Sequence, residues 1–130
     1  MRLQPRVCAP ESIGFLLLPR FAMVAFFSAI EPLRIANRIS QRTLFHWDVI
    51  SRDGSPVTAS NGMPLAANWS LQDAPETPSL AVCASFAPEH ALDTELLDWL
   101  RARPRPAACW VAWTRGASRW PPPACSTTRP

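Results

Sequence analysis

The fold is decided by the stretch Ser12-Ile-Gly-Phe-Leu-Leu-Leu18, a continuous apolar run that Pro19 ends. A run without polar alternation is typical of a strand that is buried on both faces, as in a parallel sheet covered by helices. A second run of this kind is Ser79–Ala84, and Leu44–Ser51 alternates loosely between apolar and polar residues. These three segments predict three strands of one parallel sheet.

Helical periodicity follows the first predicted strand. Over Ala22 to Gln41, apolar residues recur at spacings of three and four, and charged residues form the opposite stripe. Pro32 lacks an N–H, and Ser28 and Glu31 have the spacing of a capping box, so the regular helix is expected to begin at Ser28. Glu31 is expected either to cap this helix or to pair with Arg34.

The remaining segments predict one hairpin and a second helix. Asn61-Gly62 lies between Pro56–Ser60 and Met63–Ala66, and Asn-Gly is the strongest short hairpin signal. Asp93–Leu100 predicts a helix with Asp93 as its N-cap. This order of elements predicts an α/β fold with a parallel sheet, crossover helices and one β-hairpin. The sheet is expected to be incomplete, because such a fold needs another central strand after the last helix.

The composition changes near residue 101. All ten acidic residues precede residue 99, whereas the segment from residue 99 onward contains six arginines and six prolines. No apolar period of 2 or 3.6 continues into this segment. We therefore divide the chain into a folded part, residues 1–100, and a Pro/Arg/Trp-rich tail, residues 101–130, that is expected to be disordered. Its arginines are interpreted as an accident of composition and not as a nucleic-acid-binding arm.

Codon constraints suggest an origin for the tail. Tryptophan has the single codon TGG, so a reading that starts from the third base of each codon turns Trp113-Thr114 into Asp and Trp120-Pro121 into Ala. The neighbouring positions allow Gly-Gly-Leu-Asp-Thr-Gly-Gly-Phe-Ala-Leu-Ala, an apolar helix after a Gly-rich turn. Our hypothesis is a frameshift between about Leu100 and Cys109, and one alternative is that the product is a non-functional remnant.

Several kinds of site and location are not expected. The two histidines lack partners at ligand spacing, so no metal site and no cofactor are predicted. No apolar stretch approaches the ~20 residues needed to span a bilayer, and the start lacks a secretory signal. A cytoplasmic protein without a membrane partner is therefore expected. A disulfide framework is not expected either, because the cysteines lack paired CxxC spacing; they are Cys8, Cys83, Cys109 and Cys125.

Three stretches carry a family resemblance: Ile13 to Pro19 followed by Phe21-Ala-Met, then Ala29-Ile-Glu-Pro-Leu-Arg-Ile-Ala-Asn37, then Ser60-Asn-Gly62. Over about residues 12–100 the sequence resembles the start of GlxA-type AraC-family transcriptional regulators. The resemblance implies a PfpI-like sensor domain with the flavodoxin-like fold of class I glutamine amidotransferases, here truncated. The sequence that the shifted reading frame of the tail allows resembles the next segment of this family, the turn that carries the nucleophile in the related enzymes. The family usually has Gly where this chain has Arg20, and a positive φ is costly for Arg.

The resemblance also implies a function. The domain is expected to be non-catalytic, to sense a small nitrogenous metabolite such as an amino acid or a betaine-like compound, and to form a homodimer. DNA would be bound only through a C-terminal helix-turn-helix domain that is missing here. The candidate ligand-binding residues, at the carboxyl edge of the sheet, are Phe21, Met23, Phe26 and Cys83; core packing is the alternative role. A stand-alone PfpI-like amidase or peptidase is the other functional alternative, although no nucleophile elbow is present in frame.

Overall fold

The structure, a computed structural model, describes residues 9–84 and 91–103. Five strands and two helices lie in these ranges, in the order β1 (Glu11–Leu17), α1 (Met23–Ser40), β2 (Phe45–Ile50), β3 (Val57–Thr58), β4 (Pro64–Leu65), β5 (Ser79–Cys83) and α2 (Thr94–Ala102). The predicted tail lies outside the described residues except for its first three positions. The three predicted sheet strands and the two predicted helices are therefore all found.

The first strand is the centre of the main sheet. The strand order is β2-β1-β5, and both pairings of β1 are parallel. Leu16 lies opposite Ile50 on one side and opposite Val82 on the other. Alternate residues of β1 enter two different apolar clusters, Leu16 on the face covered by α2 and Phe15 on the face covered by α1. This two-sided burial is why the first strand reads as a continuous apolar run.

Helix α1 begins five residues earlier than the sequence predicts. It starts at Met23 and continues through Pro32, so the expected start at Ser28 is wrong. The first turn is held by packing, because Phe26 is buried and meets Phe15 and Phe21 edge-on, with ring centroids 5.5 and 6.2 Å apart. Burial of aromatic rings contributes about 1.5–3 kcal/mol each, which is comparable to the ~3 kcal/mol cost of an interior proline.

The hairpin is fixed to the carboxyl end of β1. Its strands β3 and β4 pair antiparallel around the predicted Asn61-Gly62 turn, where Gly62 has a φ of 85°. Two backbone hydrogen bonds attach it to the segment after β1: the N–H of Arg20 donates to Thr58 O at 2.9 Å, and the N–H of Ser60 donates to Phe21 O at 2.9 Å. The hairpin therefore lies at the edge of the sheet where the strands end.

Helix α2 begins as predicted and ends later. Asp93 is its N-cap, since Asp93 Oδ1 accepts the N–H of Leu96 at 2.9 Å. The indole N–H of Trp99 donates to Leu71 O at 2.6 Å, and the guanidinium of Arg103 lies 4.0 Å from the centre of the Trp99 ring. These contacts carry ordered structure past residue 100, through Arg103.

Candidate functional site

A cleft of about 530 Å³ lies at the carboxyl edge of the sheet. It is lined by the end of β1 and the turn after it, by the segment that links β2 to the hairpin, and by the start of α2. Open α/β sheets bind ligands at the carboxyl ends of their strands. The cleft therefore has the location expected for a ligand site in this fold.

The cleft combines an apolar base with a charged rim. Leu16, Leu17 and Leu18 line it and are almost completely buried. The rim carries four charged side chains, namely Arg20, Arg52, Asp53 and Asp93. An apolar surface with a few charged groups around it is the usual make-up of a small-molecule site.

Arg20 has an unusual backbone conformation for its residue type. Its φ is 62°, in the left-handed region that favours glycine. The turn is held by its neighbours, because the N–H of Phe21 donates to Leu18 O at 3.1 Å and the N–H of Arg20 donates to Thr58 O. Arg20 thus has the positive φ that is costly for a residue other than glycine, and these two hydrogen bonds hold the turn in this conformation. The Arg20 side chain is exposed and makes no salt bridge within the described ranges.

Arg52 joins the exit of β2 to the start of α2. Its guanidinium donates to the carboxylate of Asp93, and also to Glu95 Oε2 at 3.2 Å. The N–H of Leu96 holds the pKa of Asp93 below its usual range, and the guanidinium of Arg52 adds to this effect. Both charges are therefore occupied by contacts within the protein.

Asp53 lies in a tight turn after β2. Its Oδ1 accepts the N–H of Ser55 at 3.0 Å, and this bond lowers the pKa of Asp53. Beside it, the buried hydroxyl of Ser51 donates to Ser55 O at 2.8 Å. The turn is thus well ordered and presents an ionised carboxylate at the cleft.

The structure brings together the four residues that the sequence predicts as ligand contacts. Phe21, Phe26 and Cys83 are buried in the apolar cluster between the sheet and α1, and Met23 packs against it. None of the four lines the cleft. Burial raises the pKa of the Cys83 thiol to about 11, so this thiol is neutral at physiological pH. Contact of these four residues with a ligand stays a prediction.

The sequence reasoning did not identify the charged rim. The sequence contains one indication of this rim, because Arg20 and Asp53 each follow a predicted strand and parallel strands end at a common edge of the sheet. Within 9–84 and 91–103, no group of three or more His, Cys, Asp or Glu residues is placed to hold a metal ion. Neither of the two helices in those ranges is long and apolar enough to cross a membrane.

The α/β fold of the described residues is that of DJ-1/PfpI proteins. A THiJ/PfpI family protein from Pseudomonas syringae superposes with a TM-score of 0.55 at 16% identity, over 73% of this chain and 38% of that one. An AraC family transcriptional regulator from Pseudomonas putida superposes with a TM-score of 0.56 at 29% identity, over 72% of this chain and 59% of that one.

The curated proteins with similar sequences are transcriptional regulators. The chain is 45% identical over 91 residues to the HTH-type transcriptional regulator CdhR of Pseudomonas aeruginosa, covering 70% of this chain and 27% of that protein. It is 36% identical over 109 residues to the HTH-type regulator GbdR of the same species, covering 80% of this chain and 30% of that protein. The chain is thus homologous to the N-terminal part of GlxA-type AraC-family regulators. No family model matches the sequence.

Proposed function

We propose that this chain is the sensor part of an AraC-type transcriptional regulator and that its α/β domain binds a small nitrogenous metabolite without transforming it. The chain spans about 30% of the length of the curated regulators that it matches. The observation that carries the proposal is the cleft at the carboxyl edge of the sheet, with its apolar base and its rim of both charges. An amino acid or a betaine-like compound has the size and the paired charges for such a cleft.

The state of Cys83 supports a sensor over a PfpI-like amidase or peptidase. A cysteine nucleophile reacts as the thiolate and sits in an accessible, electropositive surrounding. Cys83 is buried, the pKa of its thiol is raised to about 11, and it lies outside the cleft. Its environment therefore favours an inert packing residue.

Ligand binding can be tested by measuring the melting temperature of the purified chain with the twenty amino acids and with glycine betaine. A ligand that binds only the folded state stabilises it by about 2.7 kcal/mol at a hundred times its Kd. We expect one class of nitrogenous compound to raise the melting temperature, and neutral sugars of similar size to leave it unchanged. Turnover of amide or peptide substrates that is lost in Cys83→Ala would contradict the non-catalytic assignment.

The outer face of α1 supports the proposal that the domain forms a homodimer. Large apolar side chains are exposed along one side of this helix, namely Val24, Phe27, Ile35 and Ile39. The Glu31–Arg34 ion pair lies in the middle of the same stripe. A stripe of this kind can face its own copy across a two-fold axis, where each charge of the pair meets its opposite. Sedimentation of the chain and of Ile35→Glu tests this, with the variant expected to be monomeric.

A further inference from the structure

Strand β2 forms one edge of the described sheet, since the order of the strands is β2-β1-β5. The backbone N–H and C=O groups of successive residues in a strand point to opposite sides, so every second residue of β2 bonds to β1 and the others point outward. The outward residues are Phe45, Trp47 and Val49. Outward groups on an edge strand can pair with a strand of another chain.

The side-chain amide of Asn37 closes the amino-terminal end of this edge. Its Nδ2 donates to Phe45 O at 2.9 Å, and its Oδ1 accepts the N–H of Phe45 at 3.0 Å. One donor and one acceptor are also what a residue of a neighbouring strand would offer to Phe45. The amide of Asn37 therefore occupies the place of a neighbouring strand.

A second asparagine closes the carboxyl-terminal end of the edge. Asn68 Oδ1 accepts the N–H of Val49 at 3.0 Å, and the backbone N–H of Asn68 donates to Val49 O at 2.7 Å. The chain then continues along the edge, where the N–H of Ser51 donates to Trp69 O at 3.0 Å. The backbone of Trp47, between the two closed positions, has no outward partner in the described part of the chain. A single open residue is too short for another strand to pair with.

The composition of β2 makes this closure necessary. Four of its six residues are aromatic or β-branched, namely Phe45, Trp47, Val49 and Ile50. Segments of this kind aggregate when their edges are open. The strand contains no proline and no lysine, two residues that commonly protect sheet edges. Its one carboxylate, that of Asp48, is buried and accepts the indole N–H of Trp69 at 2.8 Å, so the protection of the edge rests on the two asparagines.

We propose that Asn37 and Asn68 are edge guards, whose side chains keep β2 of one copy of this domain from pairing with β2 of a second copy. In such a pair the two strands run antiparallel about a two-fold axis, with Phe45 of one copy opposite Val49 of the other. Trp47 then lies on the axis. The two amides occupy the backbone groups that this pair needs, so the guards and the pairing exclude each other. The proposal concerns assembly through the sheet and holds for any ligand of the cleft.

The first experiment measures amide hydrogen exchange in the folded parent chain and needs no substitution. The N–H groups of Phe45 and Val49 are expected to be protected, because each donates to an asparagine Oδ1. The N–H of Trp47 is expected to exchange at least about tenfold faster, because no outward partner holds it. Equal exchange at Trp47 and Phe45 would overturn the proposal, since the edge would then be either open throughout or already paired.

The second experiment opens the edge. Sedimentation of the double variant Asn37→Ala/Asn68→Ala is expected to show assemblies larger than those of the parent chain, with increased thioflavin T fluorescence. A fluorescent peptide of residues 44–51 is expected to bind the double variant at least about tenfold more tightly than it binds the parent chain. Asn37→Ala alone opens Phe45 and Trp47 and should give a smaller increase, so the comparison holds even where the double variant does not fold. Peptide affinity and assembly size like those of the parent chain would overturn the proposal.

Two control variants separate an open edge from a loss of stability. Asn61→Ala is the same substitution at an asparagine whose Oδ1 accepts the N–H of Met63 at 3.0 Å in the hairpin turn. Asp93→Ala removes the cap of α2 and leaves the backbone groups of β2 as they are. Both controls are expected to keep the assembly size and the peptide affinity of the parent chain. Association in either control that equals that of the double variant would assign the effect to lower stability and contradict the proposal.

Discussion

The side-chain amide of Asn37 binds both backbone polar groups of Phe45. Its Nδ2 donates to Phe45 O at 2.9 Å, and its Oδ1 accepts the N–H of Phe45 at 3.0 Å. The same Oδ1 accepts the N–H of Leu44 at 2.8 Å. The last turn of α1 is thus fixed to the first residue of β2, which sets where the edge strand begins. These hydrogen bonds give a structural role to Asn37, which the helical pattern of apolar and charged residues does not assign.

Asn37→Ala is expected to lower the free energy of unfolding by about 2–3 kcal/mol, because three hydrogen bonds of about 1 kcal/mol each are lost. Urea denaturation measures the change. Asn37→Asp keeps the Oδ1 acceptor and should lose less, while Arg38→Ala, an exposed neighbour, should change little. If Asn37→Ala unfolds at the same urea concentration as the parent chain, the three hydrogen bonds of Asn37 do not stabilise the junction between α1 and β2.

Arg20→Gly is expected to raise the free energy of unfolding by up to about 1 kcal/mol. The left-handed conformation costs a non-glycine residue about 1–2 kcal/mol, and the extra freedom of glycine in the unfolded chain returns part of that gain. Gln41→Gly should behave in the same way, because its φ is 52°. Thermal melts of the two variants check this, and a lower melting temperature in Arg20→Gly would mean that its side chain stabilises the turn.

The Asp93 cap predicts a dependence of stability on acid. The hydrogen bond from the N–H of Leu96 lowers the pKa of Asp93 below its unfolded value of 3.8, and the guanidinium of Arg52 lowers it further by a smaller amount. The charged carboxylate therefore stabilises the fold above pH 3.8, and this contribution is lost as the pH falls through the lower, folded pKa. Asp93→Ala should be less stable than the parent chain at pH 7, with the difference shrinking below pH 3.8. Asp93→Asn, which keeps a capping oxygen, should lie between the two at pH 7.

The buried thiol of Cys83 is expected to make the folded state less stable in base. Burial raises the pKa of its thiol from 9.0 to about 11, so the folded state holds this proton to higher pH than the unfolded state does. Stability should fall by about 2–3 kcal/mol between pH 9 and 11 and level off above that range. The sequence contains no lysine and no tyrosine, so few other groups titrate there. Cys83→Ala should lack most of this decline; a decline that is unchanged in the variant would assign it to another group.

The frameshift hypothesis predicts that a corrected chain is more stable. Strand β5 pairs with β1 on one side, and the described residues supply no strand for its other side. A chain in which residues 110–120 read Gly-Gly-Leu-Asp-Thr-Gly-Gly-Phe-Ala-Leu-Ala should gain the apolar helix that this segment predicts, and it should therefore unfold at higher urea concentration. Sequencing of the coding DNA checks the frame directly. A cooperative melt of equal stability in both chains would contradict the hypothesis.

Local patterns predict the elements of this fold better than they predict its cleft. The apolar run at 12–18 and the Asn61-Gly62 turn are each determined by neighbours in sequence, and both are found where expected. The start of α1 at Met23 was missed because it depends on packing between Phe26 and a strand. Arg20 and Asp53 were missed because only the parallel pairing of β1 with β2 brings them to one edge. Periodicity carries no information about such convergence between distant segments.

The central position of β1 has a consequence for synthesis of the protein. Strand β1 leaves the ribosome before both of the strands that pair with it, and the second of these, β5, ends only at Cys83. At roughly 5–20 residues per second, this strand spends several seconds with one backbone edge and one apolar face uncovered. Nascent chains of this domain should therefore be substrates for ribosome-associated chaperones until β5 has been translated.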